Sequence, residues 1–235
     1  MGAVFRFKQF EVDQGECAMK INTDGVLLGA HLYGDGFKYI LDIGTGTGVI
    51  ALMAAQWHPE ALVDAIEIDE LAYLQAVNNF RKSPFGDRME AYHSDFIAFK
   101  TDHKYDLIFS NPPFYTDSLR NPDERKSLAK HSDFSFFEHM IDFVDFYLSS
   151  KGKFKCVLPV ELADWIVCEL LSSRELFLLE ELAISSFENS NIIRKIITIS
   201  RENLGVKKSR LVIYKEKGMH SSSYKECLSP FFLAF

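Results

Sequence analysis

The chain has no run of about twenty apolar residues, the length a helix needs to cross a bilayer. Its opening residues, Met1-Gly2-Ala3-Val4-Phe5-Arg6, carry no secretory apolar core. It has few cysteines: Cys17, Cys156, Cys168 and Cys227 are scattered, with no Cys-x-x-Cys spacing. Neither a disulfide framework nor a zinc knuckle organises such a chain, and free thiols in a reducing cytoplasm are expected. His131 and His139 lie too far apart for a helical metal pair, so no metal is expected. Basic residues are outnumbered, 26 against 33 acidic, for a net charge of −7. That argues against a protein that coats nucleic acid by bulk charge, and leaves a local basic surface open. There is no internal repeat, low-complexity tract or linker. With 235 residues, 47% of them hydrophobic and 21 of them phenylalanine, one domain with an aromatic-rich core is expected.

What is present is a regular alternation. Phe5 to Val12 alternates as a half-buried strand, with Arg6 and Lys8 on one face unopposed by acid. Thr23-Asp24 is a helix N-cap candidate before Val26 to Leu32, and Gly34 and Gly36 end that helix. Short strands are then predicted at Tyr39–Asp42, Ala61–Glu67, Met89–His93 and Tyr105–Ser110, with helices at Val49–Trp57 and Glu70–Arg81. On the second helix Leu71, Leu74, Ala76, Val77 and Phe80 recur at helical spacing. A helix over Phe136–Leu148, a strand over Lys153–Leu158 and a helix over Leu162–Leu171 follow. The last third turns β-rich, at Leu178–Ser186, Ile192–Ser200 and Leu211–Tyr214. The pattern predicts an α/β fold: a mostly parallel sheet covered by helices, with an antiparallel end.

Between the first of these strands and its helix lies Asp42-Ile43-Gly44-Thr45-Gly46-Thr47-Gly48. Glycine at every second position lets backbone approach a ligand closely. A dinucleotide site needs its third glycine one position later, where Val49 stands, and a P-loop needs a Lys-Ser/Thr that is absent. A cationic nucleoside carrying an amino acid, S-adenosylmethionine, fits instead. Asp42 would meet its amino end, and Gly44, Gly46 and Gly48 would admit its chain and ribose. Glu67 ends the next strand and can accept the ribose hydroxyls. Asp95 follows the third and can accept from the adenine amino group, with Ile68 or Phe96 against the ring. Three acids at three successive strand ends match the rule that open α/β sheets bind ligands there.

Ser110-Asn111-Pro112-Pro113-Phe114 leaves the fourth strand. Two prolines remove two donors and fix φ twice, and Asn111 is pushed toward extended backbone. An amide, bare carbonyls and an aromatic ring are thereby collected on a stiff turn able to grip a flat amino-bearing group.

The glycine turn followed by Asn111-Pro112-Pro113-Phe114 resembles the class I S-adenosylmethionine-dependent methyltransferases over about Thr23 to Ser200, in particular the branch that methylates amino and amide nitrogens. The resemblance implies a Rossmann-like seven-stranded sheet. It makes Asn111, Pro112 and Phe114 the catalytic group, with Thr23 and Asn111 among the cofactor contacts. Phe7-Lys8-Gln9-Phe10, Lys20 to Ala30, Ile66-Glu67-Ile68-Asp69 and Phe231 to Phe235 are similar, across nearly the whole chain, to the bacterial tRNA1(Val) adenine-37 N6-methyltransferase family. Here Phe114-Tyr115 stands where that family has the two aromatics reversed. The expectation is then one methyltransferase domain: residues 1–36 an N-terminal extension and gate, 37–200 the core, 201–235 a C-terminal strand and tail. It would act in the cytoplasm as a monomer on the anticodon region of a tRNA.

RNA needs cations. Candidates are Arg6 and Lys8, then Arg120, Arg125, Lys126 and Lys130 in the long polar segment after the Pro-Pro turn, and Lys207, Lys208 and Arg210. The same turn chemistry would serve an rRNA guanine-N2 or a protein-glutamine N5 methyltransferase. A noncatalytic S-adenosylmethionine-binding RNA chaperone is the reading outside enzymes.

Overall fold

A computed structural model describes residues 4–15, 20–34, 36–113 and 128–235, with backbone alone over 128–133. The strands are β1 (Val4–Arg6), β2 (Glu11–Asp13), β3 (Tyr39–Ile43), β4 (Leu62–Glu67), β5 (Met89–His93), β6 (Tyr105–Ser110), β7 (Leu148–Leu158), β8 (Phe177–Ser185), β9 (Ile192–Ser200), β10 (Lys207–Val212), β11 (Tyr214–Glu216) and β12 (Met219–His220). The helices are α1 (Thr23–Ala30), α2 (Val49–Trp57), α3 (Glu70–Lys82), α4 (Leu128–Tyr147), α5 (Val160–Trp165), continued by a π turn, and α6 (Ser222–Leu228).

One sheet organises these elements, in the order β10-β8-β9-β7-β6-β3-β4-β5. β7, β6, β3, β4 and β5 are mutually parallel, and β9 runs against both its neighbours. The parallel core with an antiparallel end is as expected. The strand count is eight rather than seven because Lys207–Val212 adds to the free edge of β8, parallel to it. That segment begins four residues before the strand its apolar residues marked, since an edge strand needs only its backbone paired, and Lys207 to Arg210 are exposed.

Two apolar layers sandwich the sheet. α1, α2 and the terminal segments cover one face, bringing Leu27, Leu28, Leu52, Met53 and Phe231 into one cluster with Phe109 of the sheet. α4 and α5 cover the other, bringing Phe137, Ile141, Val144 and Ala163 into one cluster with Phe154, Ile197 and Ile199 of the sheet. α1 meets α2 at Gly29, where an added methyl would lie 2.5 Å from Met53 Sδ. A larger residue there would force Met53 to shift.

Three local expectations change. Phe5 to Val12 is a hairpin, β1 pairing antiparallel with β2, because Phe7 and Phe10 both turn inward and stack with centroids 4.5 Å apart. The cap of α1 is Asn22, whose side chain accepts from Gly25 N at 2.8 Å. On α3 the buried face is Ala72, Gln75, Ala76, Asn79 and Phe80, while Leu71 and Leu74 are exposed. The helix is rotated because buried Asn79 satisfies loop backbone: it accepts from Asp13 N, and donates to Asp13 O (3.0 Å) and Thr47 O (2.8 Å).

Candidate active site

The carboxyl ends of β3, β4 and β6 converge. Asp42 is buried at the end of β3. Its Oδ2 accepts from Thr45 Oγ1 at 2.7 Å, while Oδ1 is buried with no hydrogen-bond partner among the described residues. Burial pushes its carboxyl up to about 7, opposed by the Thr45 hydroxyl, assisted by the nearby charge of Glu67, and opposed again by the backbone N–H of Ala51 at the start of α2. An acceptor left unpaired in the interior is costly unless something donates to it. An ammonium or hydroxyl of a bound nucleoside would do so.

Glu67 closes the cradle from β4. Its Oε2 accepts from Gly46 N at 2.7 Å and its Oε1 from Ile68 N and Asp69 N at 2.9 Å. The carboxylate thus stitches the glycine turn to the end of β4. Three of its roughly four acceptor positions are occupied, so it has room for about one further donor. Gly44 N and Thr45 N both donate to Ile66 O, pinning the turn a second time.

The three glycines divide by role. All have positive φ: 74° at Gly44, 57° at Gly46 and 83° at Gly48. A methyl group added at Gly44 or Gly46 would meet nothing within 4 Å, so those two face open space. At Gly48 it would lie 2.4 Å from the Phe80 ring. Gly44 and Gly46 line a cradle; Gly48 lets α2 close on α3. An orphaned buried acceptor beside an open glycine-walled space fits S-adenosylmethionine.

Beyond β4, Asp95 turns the chain after β5, its Oδ1 accepting from Ile97 N at 2.9 Å. Phe96, expected as a possible stacking face, is core: it is buried edge-on against Phe136 and Phe143. Ile68, 66% exposed, is the apolar surface of that pair left for a ring.

On the other side, Ser110 Oγ donates to Ile43 O at 2.8 Å and locks β6 to β3. This sets Asn111 beside the cradle. The first turn of α1 lies against it: a methyl group on Gly25 would sit 3.4 Å from Asn111 Nδ2 and 3.4 Å from Asn22 Oδ1. Thr23 is exposed in that same turn, and Pro112 is buried. The structure therefore brings Thr23, Asp42, the glycines, Glu67, Ile68 and Asn111 to one end of the sheet. Phe114, Arg120, Arg125, Lys126 and the Lys130 side chain lie outside the described residues.

The remaining cation candidates fare differently. Arg6 is opposed by acid after all, 3.0 Å from Glu11 across the hairpin. Lys8 Nζ donates to Ser229 O (2.6 Å) and Phe235 O (2.9 Å), tying the N-terminal hairpin to the tail. The Arg210 guanidinium donates to Ser185 Oγ at 3.0 Å and to the carbonyls of Glu188 and Ser190. Lys207 and Lys208 are exposed at the sheet edge, with Lys208 3.9 Å from Glu181.

Sequence reading passed over Thr45, Asn79, Asn22 and Lys155. Asn79 carried one signal, a polar residue at the spacing of Ala72 and Ala76. Lys155, buried on β7, donates to His31 O at 2.6 Å at the end of α1, and burial lowers its ammonium to about 8. A cation there suits the helix C-terminus. The cavity beside it, lined by His31, Tyr33, Glu180 and Thr198 among others, holds about 50 Å³, too little for a nucleoside.

Known proteins share this fold. Residues 17–159 match the methyltransferase small domain. Among solved structures, a predicted O-methyltransferase of Agrobacterium tumefaciens superposes with a TM-score of 0.69 (16% identity, 88% of this chain and 96% of that one). The ribosomal protein L11 methylase of Lactobacillus delbrueckii subsp. bulgaricus does so at 0.59 (17% identity, 82% and 84%). The cradle and the amide turn thus belong to a methyltransferase with S-adenosylmethionine as its methyl donor.

Full-length relatives narrow the class. The tRNA1(Val) (adenine(37)-N6)-methyltransferase of Pedobacter heparinus is 46% identical over all of both chains. The protein of that name from Bacteroides thetaiotaomicron is 40% identical over 97% of each. This chain belongs to the tRNA1(Val) (adenine(37)-N6)-methyltransferase family.

Proposed function

We propose that this chain transfers a methyl group from S-adenosylmethionine to N6 of adenine-37, beside the anticodon of tRNA1(Val), acting as a cytoplasmic monomer with no metal. The observation that carries the reading is the placement of Asn111 against both the nucleoside cradle and the first turn of α1. When bound, the cofactor supplies a sulfonium methyl open to in-line attack.

The rest is work for the chain's own groups. The exocyclic amine of adenine is a weak nucleophile because its lone pair is delocalised into the ring. The Asn111 side-chain carbonyl and the Pro112 carbonyl accept its two N–H groups and draw the nitrogen toward a pyramidal geometry. Phe114 stacks on the flipped base, a contact of about 1–3 kcal/mol. Positioning provides most of the acceleration, and the methylated nitrogen is acidic enough to lose its proton to water. The anticodon region can be read this way because its unpaired bases splay out of the stack.

Asn111→Ala tests the reading. Single-turnover methylation of tRNA should fall by two orders of magnitude or more, while S-adenosylmethionine affinity stays within about threefold. Unchanged turnover would remove Asn111 from the chemistry. Nucleoside mass spectrometry of the product should show N6-methyladenosine in one valine tRNA.

A further inference from the structure

The cofactor cradle occupies one half of the sheet. Asp42 and Glu67 lie at the carboxyl ends of β3 and β4, while Asp95 and Asn111 follow β5 and β6. The other half, over β7, β9 and β8, is left for a methyl acceptor. Strand register describes that side. Ser110 lies in one row with Cys156, Ile197 and Glu181. β8 runs on from Glu181 to Ser185, and β9 returns from Ile192. The β8–β9 hairpin thus rises about 13 Å beyond that row, and it stands three strand spacings, about 14 Å, to the side of β6.

The hairpin tip is built. Phe187 N donates to Ser190 Oγ at 2.9 Å, and Ser190 N donates to Phe187 O at 3.1 Å. The Arg210 guanidinium braces it through Ser185 Oγ and the carbonyls of Glu188 and Ser190. Tyr214 N donates to Ser186 O at 2.9 Å. What the tip presents is the ring of Phe187, 39% exposed. Behind it runs a column of rings: Tyr214 at 5.7 Å, then His220 at 5.1 Å and Tyr224 at 4.6 Å, the last of them buried. Lys215 and Lys217 are exposed on the adjoining β11–β12 hairpin, with Glu216 between them and Glu188 at the tip.

We propose that Phe187 is a stacking platform for an unpaired RNA base lying within a few nucleotides of the methylated adenine. The inference rests on the functional reading above and extends it. An exposed ring backed by stacked rings, with Lys215 and Lys217 reaching solvent from the adjoining hairpin, can hold single-stranded nucleic acid: the ring takes the base face, and the ammonium groups take the phosphates. A single-stranded loop is what a base-flipping site requires of its substrate. The role of Arg210 follows: it holds the loop that carries the ring.

The experiment measures methylation kinetics on a tRNA transcript that the wild-type chain methylates. Phe187→Ala should raise KM for tRNA about tenfold. kcat at saturating tRNA and the affinity for S-adenosylmethionine should be unchanged. Phe187→Tyr and Phe187→Trp, which keep a ring, should stay near wild type, whereas Phe187→Leu, apolar but not flat, should behave as Phe187→Ala. An unchanged KM in Phe187→Ala, or leucine serving as well as tyrosine, overturns the proposal while leaving the functional reading intact. If the wild-type chain methylates no tRNA, the functional reading falls and this one with it.

Discussion

Arg194 on β9 and Asp24 in the first turn of α1 are 170 residues apart in sequence, and their side chains meet at 2.7 Å. Both are about three-quarters buried. The pair fixes the helix turn that lies against Asn111, so it joins the acceptor half of the sheet to the cradle.

Removing one partner should show this. Arg194→Ala is expected to lower the single-turnover methylation rate about tenfold, the equivalent of about 1.4 kcal/mol for a partly buried charge pair. The exchanged pair, Asp24→Arg with Arg194→Asp, should recover most of it. If the exchange recovers nothing and tRNA binding has weakened instead, Arg194 contacts RNA directly.

The glycine turn predicts two different failures. Gly48→Ala drives a methyl into the Phe80 ring at positive φ, and should destabilise the fold by about 2 kcal/mol or more in denaturant titrations. Gly46→Ala meets nothing and should cost about 1 kcal/mol of stability. Its loss is in the cradle: calorimetry should show S-adenosylmethionine bound at least tenfold more weakly.

Asp42 gives the site a pH dependence. Its carboxyl is held up at about 7, against 3.8 for an ordinary aspartate. Between about pH 4 and 7 the folded chain therefore holds a proton that the unfolded chain has lost. Stability without ligand should fall as pH rises through that window and level off above it. A cationic ligand prefers the ionised carboxylate, so its affinity should run the other way, dropping about tenfold from pH 7.5 to pH 6. Asp42→Asn should flatten both profiles, in melting curves and calorimetry respectively.

Lys8 separates anchoring from RNA binding. Its ammonium is committed to the carbonyls of Ser229 and Phe235. Lys8→Met should lower the melting temperature by a few degrees, as loss of about 1 kcal/mol does in a domain of this size. The salt dependence of tRNA binding should be unchanged. A shallower salt slope would return Lys8 to the RNA surface.

Much of this architecture was legible because its signals are local. The β3 to β6 strands and the helices between them lie within a residue or so of where apolar periodicity sets them. The glycine turn, the acids at the strand ends and the Asn-Pro-Pro turn carry their chemistry in their own residues. Phe96 and the face of α3 were misjudged for a different reason. An aromatic after a strand, or a leucine at helical spacing, satisfies the same pattern whether it faces core or solvent. Only the packing of Phe136 and Phe143, and the demand of Thr47 O for a donor, decide the matter.

From its sequence alone, then, this chain determines a parallel α/β sheet, with a glycine turn, acids at the strand ends and an Asn-Pro-Pro turn gathered at one end of it. Backbone freedom at glycine and backbone stiffness at proline are properties of single residues. Tertiary structure decided which cations have partners within the protein: Arg6 on Glu11, Lys8 on the tail, Arg210 in the β8–β9 hairpin, Arg194 on Asp24. Partners for a long cation come from segments that are distant in sequence and are brought together only by the fold, so no local pattern can assign them.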